Sequence, residues 1–138
     1  KANPNCDGEN VSPALAWSGA PAATRTFAIL MDDQAGRAGL GVSHWVAYGI
    51  AANVDGLVEG EASSPSARFV GGRNTGGTDL YAGPCPPRGD APHHYVLTLI
   101  ATTLEPDALK SGLTKPELLE ALKGRTVGAA SLVLRYAH

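Results

Sequence analysis

The chain has 138 residues, 43% of them apolar and 17% charged, with 17 glycines and 10 prolines. That length suits one hydrophobic core and a single domain over residues 1–138, and the glycine and proline content calls for a turn-rich fold without long helices. A formal charge of −2 with no run of either sign excludes the electrostatic footprint of a nucleic-acid or anionic-membrane binder, and no stretch approaches the ~20 apolar residues of a membrane span, so a soluble protein is expected.

Lys1 opens a Pro/Asn-containing stretch that reads as the interior of a loop, so residues upstream are expected, with room for a signal peptide. Pro4, Pro13 and Pro21, with Gly8 and Gly19, permit only brief extended pieces such as 14–17. Thr26-Phe27-Ala28-Ile29-Leu30-Met31 is an apolar run stopped by Asp32-Asp33, the mark of a strand buried on both faces. Gly36, Gly39 and Gly41 make 34–42 a flexible connection to a strand at 43–50. Alternation there sets His44, Val46 and Tyr48 on one face and Trp45 and Ala47 on the other.

Residues 51–67 are small and polar, and 68–70 reads as a short strand. The segment 71–92 is long, irregular and dense in glycine and proline, a composition that fixes a backbone path and suits a functional loop. The strongest strand signal is 93–103, rich in β-branched and aromatic residues, followed by a helical turn at 105–112. Thr114 and Glu117 form a capping box, Leu113 and Leu118 a hydrophobic staple, and Gly124 a stop, which predicts a helix over 115–123. A strand at 127–136 closes a mostly β fold with one short C-terminal helix.

Polar side chains recur where apolar strands end: Asp33 on one, His44 on the next, His93 and Tyr95 on a third. A shared pocket follows from that placement. His93 and Tyr95 face one side and His94 the other, so the two adjacent histidines are not a metal-ligand pair, and no metal site is expected. Cys6 and Cys85 match no metal-ligand spacing either and are one disulfide or two buried thiols. A nucleophilic hydrolase is disfavoured, because there is no G-x-S-x-G elbow and Ser43 points away from His44 across the strand. The glycine-rich run Gly71-Gly72-Arg73-Asn74-Thr75-Gly76-Gly77 precedes no helix and is no nucleotide P-loop, although backbone N–H groups in such a loop form an anion-accepting concavity without a lysine.

Three ordered motifs carry a family resemblance. Cys6-Asp7-Gly8-Glu9-Asn10-Val11-Ser12-Pro13-Ala14-Leu15-Ala16-Trp17 resembles the CxGxNxSPxLxW opening of the bacterial, Raf-kinase-inhibitor-like phosphatidylethanolamine-binding proteins. Ser43-His44-Trp45-Val46 is similar to their HWV strand. Gly83-Pro84-Cys85-Pro86-Pro87-Arg88-Gly89 followed by His93-His94-Tyr95 is similar to their GPCPPxG…HRY block. The form of the motifs points to a bacterial source.

The resemblance implies two packed antiparallel sheets and a small cavity that accepts phosphate, acetate or phosphorylethanolamine-like groups. Its lining would be Asp33, His44, His93 and Tyr95, with Gly83, Pro84, Pro86 and Pro87 as its wall and Cys6 close to Cys85 beside it. It further implies a ligand-binding protein that is not an enzyme and needs no cofactor; an interaction or inhibitor protein acting on a kinase or serine protease is the alternative, and a hydrolase the third. The chain departs from the family at Gln34-Ala35-Gly36, where two prolines and a second Asp are missing, at His94, where Arg is usual, and at Gly49-Ile50-Ala51, where an Asn-Ile-Pro turn is usual. The missing prolines predict that 34–42 is the most mobile part of the pocket rim.

Overall fold

A computed structural model describes residues 6–138, so the loop reading at residues 1–5, Pro4 included, lies outside the described residues. Seven strands follow in chain order: β1 (Leu15–Ala16), β2 (Thr26–Asp33), β3 (Val42–Ala51), β4 (Gly56–Leu57), β5 (Val70–Gly71), β6 (His93–Thr102) and β7 (Thr126–Tyr136). The one α-helix among the described residues, α1, spans Lys115–Leu122. Every strand pairing is antiparallel. The large sheet runs β5-β3-β2-β6-β7, and β1 pairs with β4 in a small second sheet.

Strand β2 is the centre, as its unbroken apolar run requires. On one face Phe27, Ile29 and Met31 pack with Trp45, Ala47, Ile50, Tyr95 and Leu97 beneath Leu15, Trp17 and Leu57 of the small-sheet side. On the other, Ala28, Leu30, Val46, Tyr48 and Ile100 receive Leu113 and the helix residues Leu118 and Leu122. The result is three layers: small sheet, large sheet, helix. The capping box at Thr114 and Glu117 is formed, and Gly124, at φ +73°, turns the chain out of α1.

Two irregularities of β3 decide where its side chains go. Met31 pairs with Trp45 and Asp32 with Ser43, so His44 is an extra residue, a β-bulge. The second lies between Phe27↔Ile50 and Ile29↔Ala47 and contains Gly49 at φ +69°, where a Cβ would come within 2.7 Å of the Pro106 carbonyl oxygen. Glycine is therefore required there, both for its positive φ and for the close approach of the Pro106 carbonyl. The alternation predicted for β3 fails at its start: the bulge turns His44 to the same face as Trp45, where its ring meets Tyr95.

Other expectations shift less. The 68–70 strand lies at Val70–Gly71, and 105–112 is a succession of turns, with Ala108 N–H donating to Glu105 C=O, rather than a turn of helix. Short 3-10 helices occur instead at Arg37–Gly39 and Glu61–Ser63. The connection at 34–42 includes a hydrogen-bonded turn in which Gly41 N–H donates to Gly36 C=O at 2.9 Å. A Cβ on Gly36 would lie 2.6 Å from Val42 Cγ2 and 3.0 Å from Asp33 Oδ2, so this glycine provides close approach beside a carboxylate. The edge strand β7 has no outer neighbour among the described residues and exposes Leu132, Val133 and Leu134.

Candidate functional site

The site forms where β2 ends and β6 begins. Antiparallel register sets Asp33 opposite Tyr95, and His93, two residues before Tyr95, shares its face. Both His93 and Tyr95 are buried while His94 between them is exposed, as the alternation predicts. The bulge in β3 delivers the fourth residue: the His44 ring lies edge-on to Tyr95 at 5.3 Å between centroids, and His93 stacks on Tyr95 at 6.4 Å. Asp33, His44, His93 and Tyr95 are thus one connected group.

Hydrogen bonding gives each member a distinct role. Asp33 Oδ2 lies 2.6 Å from His93 Nδ1, and its Oδ1 accepts from Ala35 N–H at 3.0 Å, so the carboxylate is fixed on both oxygens. The other nitrogen of His93, Nε2, lies 3.2 Å from Asp90 Oδ2. Held between two carboxylates, His93 has its pKa raised, mainly by the Asp33 hydrogen bond. His44 is the opposite case. Burial lowers its pKa, and its Nδ1 is 2.9 Å from the Ala82 carbonyl, an acceptor only, so the proton sits on Nδ1 and Nε2 presents a lone pair in the neutral ring.

Tyr95 has no exposed surface, and its hydroxyl has no hydrogen-bond partner among the described residues. Burial, then Asp33, Tyr136 and Tyr81, push its pKa up to about 12, so the phenol keeps its proton and is a donor without an acceptor.

An open cavity of about 960 Å³ adjoins this group, and His44, Tyr81, Tyr136, Gly83 and Pro84 are among its lining residues. Asp33, His93 and Tyr95 are not in that lining; they lie buried behind His44. Of the predicted wall, Gly83 and Pro84 line the cavity, whereas Pro86 is buried and Pro87 is exposed away from it. Cys6 and Cys85 form a disulfide with Cα atoms 5.5 Å apart, which settles the two alternatives left open by their spacing. Asn10 ties the same two segments together, accepting from Gly83 N–H at 2.7 Å and donating to the Tyr81 carbonyl at 3.1 Å.

Asp90, Tyr81, Tyr136 and Asn10 are contributors that the sequence reading does not select. Asn10 stands inside the first motif and Asp90 three residues before His93, so each had a local signal. The two tyrosines reach the site only through tertiary packing.

The comparisons with known proteins bear on the whole chain. The family model described as phosphatidylethanolamine-binding protein matches residues 2–137. A UPF0098 protein of Methanothermobacter thermautotrophicus is 36% identical over 95% of this chain and 85% of its own length. The crystal structure of Escherichia coli YbcL, described as a new member of the mammalian PEBP family, superposes with a TM-score of 0.88 at 31% identity, covering 99% of this chain and 85% of that one. A phosphatidylethanolamine-binding protein homologue from Chlamydia trachomatis gives a TM-score of 0.84 at 31% identity, covering 96% of this chain and 85% of that one. With the three motifs, the sheet order and these matches in agreement, the chain belongs to the phosphatidylethanolamine-binding protein family.

Proposed function

We propose that the protein binds a small ligand bearing an acid oxygen, of the phosphate, acetate or phosphorylethanolamine type, and releases it unchanged. The observation that carries this reading is the buried Tyr95 hydroxyl, a protonated donor with no partner among the described residues, set between two histidines. A buried donor left unmatched costs about 1–3 kcal/mol, and an acid oxygen would recover that cost. His93, whose pKa the Asp33 hydrogen bond raises, supplies positive charge when protonated, and its Nε2 is a second donor on the same strand face as the phenol. His44 adds a lone pair that accepts from a protonated ligand oxygen or an ammonium, and becomes a donor itself once protonated.

Support for a binding rather than a catalytic role comes from Ser43. Its Oγ has no partner among the described residues, and the neighbouring His44 ring engages Ala82, so this hydroxyl is not activated by a hydrogen-bonded base. Calorimetry with phosphate, acetate and phosphorylethanolamine tests the reading. Tyr95→Phe and His44→Ala should each weaken binding by about 1.5–3 kcal/mol, the range for a hydrogen bond to a charged group. Affinity should also rise on the acid side of the ordinary histidine range, where His44, its pKa lowered by burial, gains its proton. Unchanged affinity in both variants would remove the site assignment, and a phosphatase or esterase activity that disappears in His44→Ala would remove the non-catalytic reading.

A further inference from the structure

The two carboxylates that hold His93 differ in how they are held themselves. Asp33 is buried, its side chain 4% exposed, with both oxygens engaged. Asp90 is 49% exposed and sits on a turn after Gly89, with its own N–H donating to the Pro87 carbonyl at 3.2 Å. Its bond to the ring, at 3.2 Å, is longer than that of Asp33 at 2.6 Å. The neighbouring cation, Arg88, is committed to Asp7 at 2.7 Å, so His93 is the one cationic partner of Asp90 among the described residues.

A carboxylate oxygen on His93 Nε2 is the same acceptor that an acid ligand offers. Resting on the reading of this site as a host for acid ligands, we propose that Asp90 is a built-in competitor: it occupies the donor position of His93 that a ligand oxygen takes, and binding requires its exposed side chain to swing aside. Asp33 cannot do this, because it is buried and bonded at both oxygens. The turn that carries Asp90 is a surface turn, and a rotation of one exposed side chain frees Nε2 without disturbing the strand that positions the ring.

Charge selectivity follows. Once displaced, Asp90 remains on the turn three residues before His93, within a side chain's reach of the ring, where it repels an arriving anion in proportion to the charge the anion carries. Acetate is therefore hindered less than phosphate, which is largely dianionic above neutral pH. Asp90 sets affinity and selects for low ligand charge at the same site.

The test compares the full chain with Asp90→Ala, which vacates the position, and Asp90→Asn, which removes the charge but still accepts from Nε2. Acetate and inorganic phosphate are titrated by calorimetry at pH ~7.5, with Tyr95→Phe as the control for binding at this site. Asp90→Ala should tighten acetate binding about threefold and phosphate about tenfold, with Asp90→Asn between it and the wild type. If Asp90→Ala binds both anions no better than wild type, while wild-type binding is still lost in Tyr95→Phe, Asp90 only braces His93 and the competitor proposal fails with the site assignment intact. If neither the wild type nor the Asp90 variants bind either anion, the reading of the site itself fails and takes the proposal with it.

Discussion

Strand β2 pairs along its full length with Tyr95–Thr102 of β6, and both ends of that pairing bury polar side chains. At one end Thr26 faces Thr102, and at the other Asp33 faces Tyr95. The two threonine hydroxyls lie 2.7 Å apart, Thr26 Oγ1 also donates to the Leu104 carbonyl, and Thr102 Oγ1 accepts from Leu104 N–H. Neither threonine carries a charge, and both of their hydroxyls have partners. The Asp33 end is as deeply buried, yet it holds a histidine between two carboxylates and a phenol with no acceptor among the described residues. Equal burial thus produces a structural clasp at one end and, at the other, an ion-paired histidine beside one unspent donor, the Tyr95 hydroxyl. What distinguishes a site from a core here is the balance of donors and acceptors.

Removing the charge partner is expected to separate the two ends most strongly. Asp33→Ala leaves the His93 ring buried without its closest carboxylate and should cost about 3–5 kcal/mol in a urea-unfolding experiment, the range for breaking a buried pair from one side. Thr26→Val should cost less, about 1–3 kcal/mol, because it strands neutral groups only. If the order is reversed, the contrast drawn between the ends is wrong.

Dependence on pH sharpens the comparison. The pKa of His93 is raised in the folded state, so the stability it contributes is fully present below its unfolded value of about 6.5 and is lost as pH rises through the raised value. His44 acts in the opposite direction. Its lowered pKa means that the unfolded chain binds a proton the folded chain resists, which destabilises the fold as pH falls below about 6.5. Denaturation midpoints between pH 5 and 8 should therefore lose their alkaline decline in Asp33→Asn, and Thr26→Val should keep the wild-type profile. A decline that persists in Asp33→Asn would detach it from His93.

The smallest effect on stability is expected from Tyr95→Phe. Deleting a hydroxyl that has no partner removes a desolvation penalty, so thermal stability should hold or rise slightly even as anion binding falls. A loss of more than about 1 kcal/mol would mean that the phenol has a structural partner in solution.

Much of this was legible in the sequence because it is local. The apolar run before Asp32 and Asp33, the β-branched run after His93 and the capped helix each declare themselves within a dozen residues, and the three motifs lead to the same fold. The grouping of Asp33, His44, His93 and Tyr95 followed from their positions at strand ends. The face of His44 did not, because a bulge is a property of the pairing between β3 and β2 and cannot be seen in one strand's alternation. Pairing of β1 with β4 was hidden for the same reason, since two residues on each side leave no period to read. Tyr81 and Tyr136 come from the irregular segment and the edge strand, where no spacing rule connects them to His44.

The Cys6–Cys85 bond also has a temporal side. The covalent ring it closes contains β1 through β5, while β6, α1 and β7 lie outside it. During synthesis from the N-terminus both cysteines emerge before His93, so the ring can be sealed before the strand that pairs with the free side of β2 exists. The bond ties together the two segments flanking the cavity, at Asn10 and Gly83, both of which lie inside the ring. His93 and Tyr95 follow the ring in chain order, carried on the strand that covers the free side of β2, and Tyr136 follows them on the edge strand β7.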